Sequence, residues 1–149
     1  MGNKQQSGLS SQQIAERASS TLHASDQCAK TLELQIEEIA PGRAIISMIV
    51  TMDYVNGHNT CQGGIITTLA DTAFAHACNS YNQVTVAQGL SIEFVRPAMV
   101  GEKLTAQAIE QTRGKCVGVY LVEVRNQEDK LVAIMTGKSF SSSKPVFEN

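Results

Sequence analysis

The sequence predicts an α+β fold in which one antiparallel sheet curls around a single buried helix. Three observations carry that reading. The length of 149 residues suits one domain with one core. Six segments show the alternation or the β-branched richness of strands. Between the second and third of them the apolar spacing changes from two to three and four, as on a helix. A helix without a cationic residue and a sheet with one apolar face bury each other most simply by wrapping.

The elements follow in chain order. Residues 1–10 are polar and read as a loose tail. "SSQQIAERASSTLHAS" (10–25) opens on serines suited to cap a helix, which gives a short amphipathic helix over 11–25 packed on the domain. "TLELQIEEI" (31–39) alternates, "APG" (40–42) turns, and "RAIISMIVTM" (43–52) is a more buried strand, so the pair forms a hairpin. In 61–79 the apolar positions are Ile65, Ile66, Leu69, Ala70, Ala73, Phe74, Ala77 and Cys78, a stripe that predicts a largely buried helix. "VTVAQGLSIEFV" (84–95) alternates, falters near Gly89 and ends before Pro97. "EKLTAQAIEQT" (102–112), "KCVGVYLVEVRN" (115–126) and "KLVAIMTGKSFS" (130–141) complete the strands, with "NQED" as the last turn. An open sheet of this kind leaves an edge, and pairing of two copies through it is the natural way to cover it.

Composition narrows the function. With 42% hydrophobic and 17% charged residues the chain is too apolar for disorder, and no apolar run nears the about 18 residues of a spanning helix. The polar start lacks the apolar centre of a secretory signal, and Gln6 stands where a myristoylation signal has Ser or Thr. A cytoplasmic protein is expected. The net charge of −2 argues against nucleic acid. No Lys or Arg occurs between Arg43 and Arg96, whereas eight of the twelve basic residues lie at or after Arg96. The charge-poor middle is either simply core or a place for an apolar group, with an anionic handle held further on. Cys28, Cys61, Cys78 and Cys116 show neither paired spacing nor a zinc pattern, so no metal is expected. Cys61 could serve as a nucleophile only if His58 or His76 were its base.

One acid interrupts the apolar helix. The residues three and four positions from Asp71 are Thr67, Thr68, Phe74 and Ala75, none of them cationic. A carboxylate at the edge of such a stripe either turns to solvent, bonds a threonine or a distant arginine, or serves chemistry with a raised pKa. Gly63 and Gly64 stand where the helix begins. They are either a flexible turn or an opening to the first backbone N–H groups, which favour developing negative charge. The two features lie eight residues apart, roughly 12 Å along a helix. One small reacting group cannot touch both within a single chain. If both act together they come from different subunits, which predicts an obligate dimer.

The stretch "NGHNTCQGG", then "LADTAFAHACNS", "IEFVRP" and "GEKLTA", resembles the hotdog-fold thioesterases, in particular the phenylacetate-pathway acyl-CoA type. The resemblance runs from about "DQCAKTLELQ" to "VAIMTGKSF". It implies a hotdog fold, dimers often paired into tetramers, and hydrolysis of acyl-CoA thioesters, with aryl acyl groups implied by this type. It assigns Asp71 as nucleophile or as general base on water, Gly63 N–H as the group that polarises the carbonyl, and Asn56 as a polar residue holding carbonyl or water. It places the glycine and the acid on opposite subunits. Coenzyme A belongs to the substrate, and no other cofactor is implied.

One position departs from the family pattern. Members often read His-Gly-Gly, and this chain reads Gln62-Gly63-Gly64. The Gln62 amide can orient a group but cannot shuttle a proton. Gln62, Gly64 and His58 are the expected substrate-side neighbours. His58 is also suited to a structural bond in its turn, and His76 to packing. Arg96, Lys103, Arg113 and Lys115 are expected clamps for the phosphates of coenzyme A, or else surface cations. Two other functions remain open on the sequence: a hotdog enoyl-CoA hydratase or dehydratase, and an acyl-CoA binder without turnover.

Overall fold

A computed structural model describes residues 8–148 of the chain. Helix α1 (Ser11–Ser25) leads into a short helix α2 (Gln27–Thr31). Strands β1 (Gln35–Ala40) and β2 (Arg43–Ile49) follow, then one 3-10 turn at Met52–Tyr54 and the long helix α3 (Gly63–Cys78). Strands β3 (Thr85–Phe94), β4 (Lys103–Arg113), β5 (Val117–Arg125) and β6 (Leu131–Ser141) end the sequence of elements. All six strands join one sheet in the order β1-β2-β4-β5-β6-β3, and every pairing is antiparallel. The expected hairpin, the expected helix and the four later strands are all present.

The N-terminal region meets one expectation and departs from another. Ser10 caps α1 as expected of the opening serines: its hydroxyl accepts from Gln13 N–H while the Gln13 side chain accepts from Ser10 N–H. Residues 1–7 of the expected tail lie outside the described residues. The segment 26–31, read partly as strand, makes α2 instead. Asp26 caps it by accepting from Ala29 N–H at 2.9 Å. The first strand therefore starts at Gln35 rather than Thr31.

The core lies where α3 meets the sheet. Ile66, Leu69, Ala70, Ala73, Phe74 and Ala77 of the helix are buried against inward residues such as Ile46, Leu104, Val122 and Met135. Alternation sets this face: Leu104, Ala106 and Ala108 are buried on β4, and Tyr120, Val122 and Val124 on β5. Phe74 crosses Tyr120 at 5.4 Å between ring centroids. Gly137 makes room for it, because a Cβ there would stand 3.0 Å from the Phe74 ring. Polar groups at this end of the helix are satisfied: Tyr81 and Tyr120 both donate to Glu110 Oε2, at 2.8 and 3.1 Å.

The two sheet edges are unlike. β1 is short and carries Glu37 and Glu38, the first at a register irregularity. β3 is ten residues long and apolar side chains stand out from it, with Val86 58% exposed, Leu90 43% and Phe94 50%. A long edge whose only charged side chain is Glu93, near its end, and which exposes several apolar ones is the kind that pairs with another chain. Its single irregularity falls between Ala87 and Gly89, where Gln88 is the extra residue.

Candidate active site

The segment ahead of α3 is fixed by backbone bonds. Cys61 N–H donates to Ala98 O and Gln62 N–H to Tyr54 O, both at 2.7 Å, and Val55 bridges Cys61. The preceding turn is pinned by Asn56, whose Oδ1 accepts from His58 N–H at 2.9 Å and whose Nδ2 donates to Thr60 Oγ1 at 3.0 Å. Gln62 is the N-cap of α3, and no side chain caps that end. Ile65 and Ile66 N–H both return to Gln62 O. The N–H groups of Gly63 and Gly64 have no acceptor among the described residues. They are the donors that a helix start offers to an anion or a polarised carbonyl.

A cleft of about 350 Å³ faces this helix start. It is lined by Asn56, Thr60, Cys61, Gly63 and Ile66 on one side and Phe94, Val95, Arg96 and Pro97 on the other. Gly63 is packed close to Phe94: a Cβ would stand 3.1 Å from Phe94 Cζ, a tight approach that the Phe94 side chain must give way to. Gly63, Asn56 and Arg96 thus line one cleft. Gln62 and Gly64 are exposed next to it, and His58 is exposed on the turn.

Asp71 lies two turns further along α3 in a second cleft of about 430 Å³. Leu22, Ser25 and Asp26 of the N-terminal helices line it, with Phe74, Ala75, His76 and Asn79 around Asp71 and Val84–Ala87 at the start of β3. Burial alone pushes the Asp71 carboxyl above its ordinary value. The threonine alternative does not hold: Thr67 donates to Gly63 O, Thr68 to Gly64 O and Thr72 to Thr68 O. No arginine or lysine pairs with it among the described residues. In one protomer, then, the glycine and the acid occupy separate clefts, at opposite ends of β3.

The other expected residues divide. Lys103 is away from both clefts and pairs with Glu37 at 3.2 Å. Arg113 lies over the Tyr81 ring at 3.8 Å, and Lys115 is exposed in the β4–β5 turn. Of the four expected phosphate clamps, only Arg96 lines the Gly63 cleft within a protomer. His76 is buried with Nδ1 2.7 Å from Ser19 Oγ, and burial pushes its pKa down to about 4, so it is neutral. It serves packing. Cys61 lines the Gly63 cleft but is buried, and burial pushes its thiol up to about 11, away from the thiolate a nucleophile needs. Among the described residues no group of three or more His, Cys, Asp or Glu is placed to hold a metal ion.

The side of the acid cleft contributed by Leu22, Ser25 and Asp26 was not foreseen. These residues come from α1 and α2, nearly fifty positions before Asp71 in the chain. The available signal is Leu22 itself. It continues the stripe of Ala15, Ala18 and Ser19 at helical spacing, yet it is the large residue on a face of small buried ones.

A curved antiparallel sheet around one apolar helix, with a glycine at the helix start and an acid two turns on, defines a hotdog-fold protein of the thioesterase kind. Comparison with known proteins agrees. The model of the thioesterase superfamily matches residues 58–133. Acyl-coenzyme A thioesterase PaaI of Escherichia coli is 45% identical over 118 residues, 79% of this chain and 84% of that protein. The solved structure of the E. coli PaaI protein from the phenylacetic acid degradation operon superimposes with a TM-score of 0.90 at 40% identity, over 91% of this chain and 99% of that one. A mutant of the phenylacetic acid degradation protein PaaI from Thermus thermophilus gives a TM-score of 0.75 at 35% identity, over 77% and 98%. The chain belongs to the thioesterase superfamily.

Proposed function

We propose that the protein hydrolyses acyl-CoA thioesters at a site built from two subunits. The observation that carries this is the division of the site along β3. The Asp71 cleft is bounded by the start of that strand, Val84–Ala87, and the Gly63 cleft by its end, Phe94–Pro97. β3 is also the free, apolar edge of the sheet. Antiparallel pairing of two β3 strands about a two-fold axis brings the start of one against the end of the other. Asp71 of each copy then faces Gly63 of its partner, and the edge is covered. The exposed outer face, with Ile109, Val117 and Phe140, supports pairing of two such dimers into a tetramer.

The chemistry follows from these placements. The thioester carbonyl oxygen sits against Gly63 N–H, with Asn56 beside it. Attack on the carbonyl carbon puts negative charge on that oxygen, where the helix start stabilises it. Asp71 of the other subunit removes the proton from the attacking water, or attacks directly to form an anhydride that water then opens. Collapse breaks the C–S bond and coenzyme A leaves as the thiolate. Both routes need the ionised carboxylate, and a raised pKa makes it a stronger base. Arg96 stands at the mouth of the Gly63 cleft, suited to a phosphate of coenzyme A. The scheme uses no metal and no further cofactor.

The apolar lining at Asp71 (Leu22, Phe74, Val84, Val86) suits an aryl or other apolar acyl group, and the name of the E. coli relative supports arylacetyl thioesters. No helix among the described residues is long and apolar enough to cross a membrane. The four unpaired cysteines fit a cytoplasmic setting. A hydratase is less well served, because His76, although it lines the Asp71 cleft, is held neutral by burial with Nδ1 against Ser19, and His58 is on an exposed turn.

The experiment is free-thiol release from a panel of acyl-CoAs, with phenylacetyl-CoA expected among the better substrates. Absence of thiol release from every member, with tight binding of coenzyme A, would instead indicate a binder. The pH profile gives a second expectation. Activity requires ionised Asp71, so it falls as pH drops through the raised pKa. The acid limb of kcat/KM should lie above the ordinary aspartate value of 3.8. A limb at or below that value contradicts the role given to burial.

A further inference from the structure

We propose that α1 is the acyl-selecting wall of the Asp71 cleft and that Leu22 sets the size of the acyl group admitted. The inference rests on the thioesterase reading and adds a specificity residue outside the segment 58–133 that matches the family. It begins with how the helix is held. Ala15, Ala18 and Ser19 are buried on one face of α1, and their small side chains let that face lie close to the domain. Three contacts tether it. Gln12 Nε2 donates to Ile39 O at 2.7 Å, Ser19 Oγ lies 2.7 Å from His76 Nδ1, and the Arg17 guanidinium covers the Phe147 ring at 4.3 Å. The Ser19–His76 contact is buried and joins α1 to α3 five residues after Asp71. The helix is therefore part of the frame of the cleft.

Leu22 comes one turn after Ser19 on the same face. It is half-buried, and it lines the cleft that holds Asp71. Val84, ahead of β3, and Val86 and Ala87 of β3 line the same cleft. An acyl chain that brings its carbonyl to Asp71 has this apolar gap to occupy, and the Leu22 side chain takes up part of it. Discrimination by such a gap is a matter of volume, and one methylene in a hydrophobic pocket changes kcat/KM by about 10–200-fold.

The test is kcat/KM of wild type, Leu22→Ala and Leu22→Trp on acetyl-, phenylacetyl- and naphthylacetyl-CoA. Leu22→Trp is expected to lower the phenylacetyl-to-acetyl ratio by about tenfold or more. Leu22→Ala is expected to raise the naphthylacetyl-to-phenylacetyl ratio by about tenfold. A defect in folding would depress all three substrates alike, and the opposite direction of the two variants separates it from selection. Ratios within about twofold of wild type, in proteins with unchanged unfolding midpoints, overturn the proposal while leaving the thioesterase reading intact. Absence of turnover by wild type on all three overturns both.

Discussion

Replacing Asp71 with asparagine is expected to lower kcat for thioester hydrolysis by about 10²–10⁴-fold, the usual contribution of a positioned base. The change keeps the size of the side chain and removes the charge. The same variant should be more stable than wild type at neutral pH. The carboxyl is held above its ordinary pKa by burial, so ionising it costs the folded state free energy that asparagine does not incur. The sign is fixed: below the unfolded-state pKa the two proteins should match, and the advantage of the variant should grow as pH rises through the folded-state value. Partial exposure screens the penalty, so a modest rise in Tm is expected. Thiol release and thermal unfolding, measured on the same preparation across pH, check both halves. A variant that turns over like wild type removes Asp71 from the chemistry.

The second large effect is expected at Gly63. It is the first residue of α3, and Gln62 ahead of it has φ −55° and ψ 131°, a conformation that a following proline accepts. Proline is at home at the first helical position and lacks an N–H. Gly63→Pro therefore deletes the proposed oxyanion donor and leaves the helix in place. Loss of about 10²–10³-fold in kcat is expected, as for other single oxyanion donors. Gly63→Ala is the control, since it adds a Cβ against Phe94, 3.1 Å away, and retains the N–H. If alanine is as damaging as proline, contact with Phe94 rather than the hydrogen bond is what matters there.

Much of this was legible in the sequence because it is written in local periodicity. The strands alternate, and α3 shows its stripe from Ile65 to Cys78, so the six strands and the buried helix could be read with small errors at their ends. The helix rise alone was enough to separate Gly63 from Asp71. What the sequence hid depends on distant contacts. Five residues from Gln27 to Thr31 are too short for a period, and only the cap by Asp26 marks them as a helix. The partners of Lys103 and Arg113, Glu37 and Tyr81, lie far away in the chain and could not be foreseen from it. The fate of His76 depended on Ser19, 57 residues earlier. The part of the acid cleft formed by α1 was hidden for the same reason.

The central claim is that two subunits share each site, and complementation tests it most directly. Asp71→Asn and Gly63→Pro proteins, each inactive alone, are mixed, unfolded and refolded together, and assayed for thiol release. Half of randomly assorted dimers are mixed, and each of those holds one site with both wild-type groups. Recovery of about one quarter of wild-type activity is therefore the expected result. A mixture as inactive as its components would place Asp71 and Gly63 of one chain in one site and contradict the account.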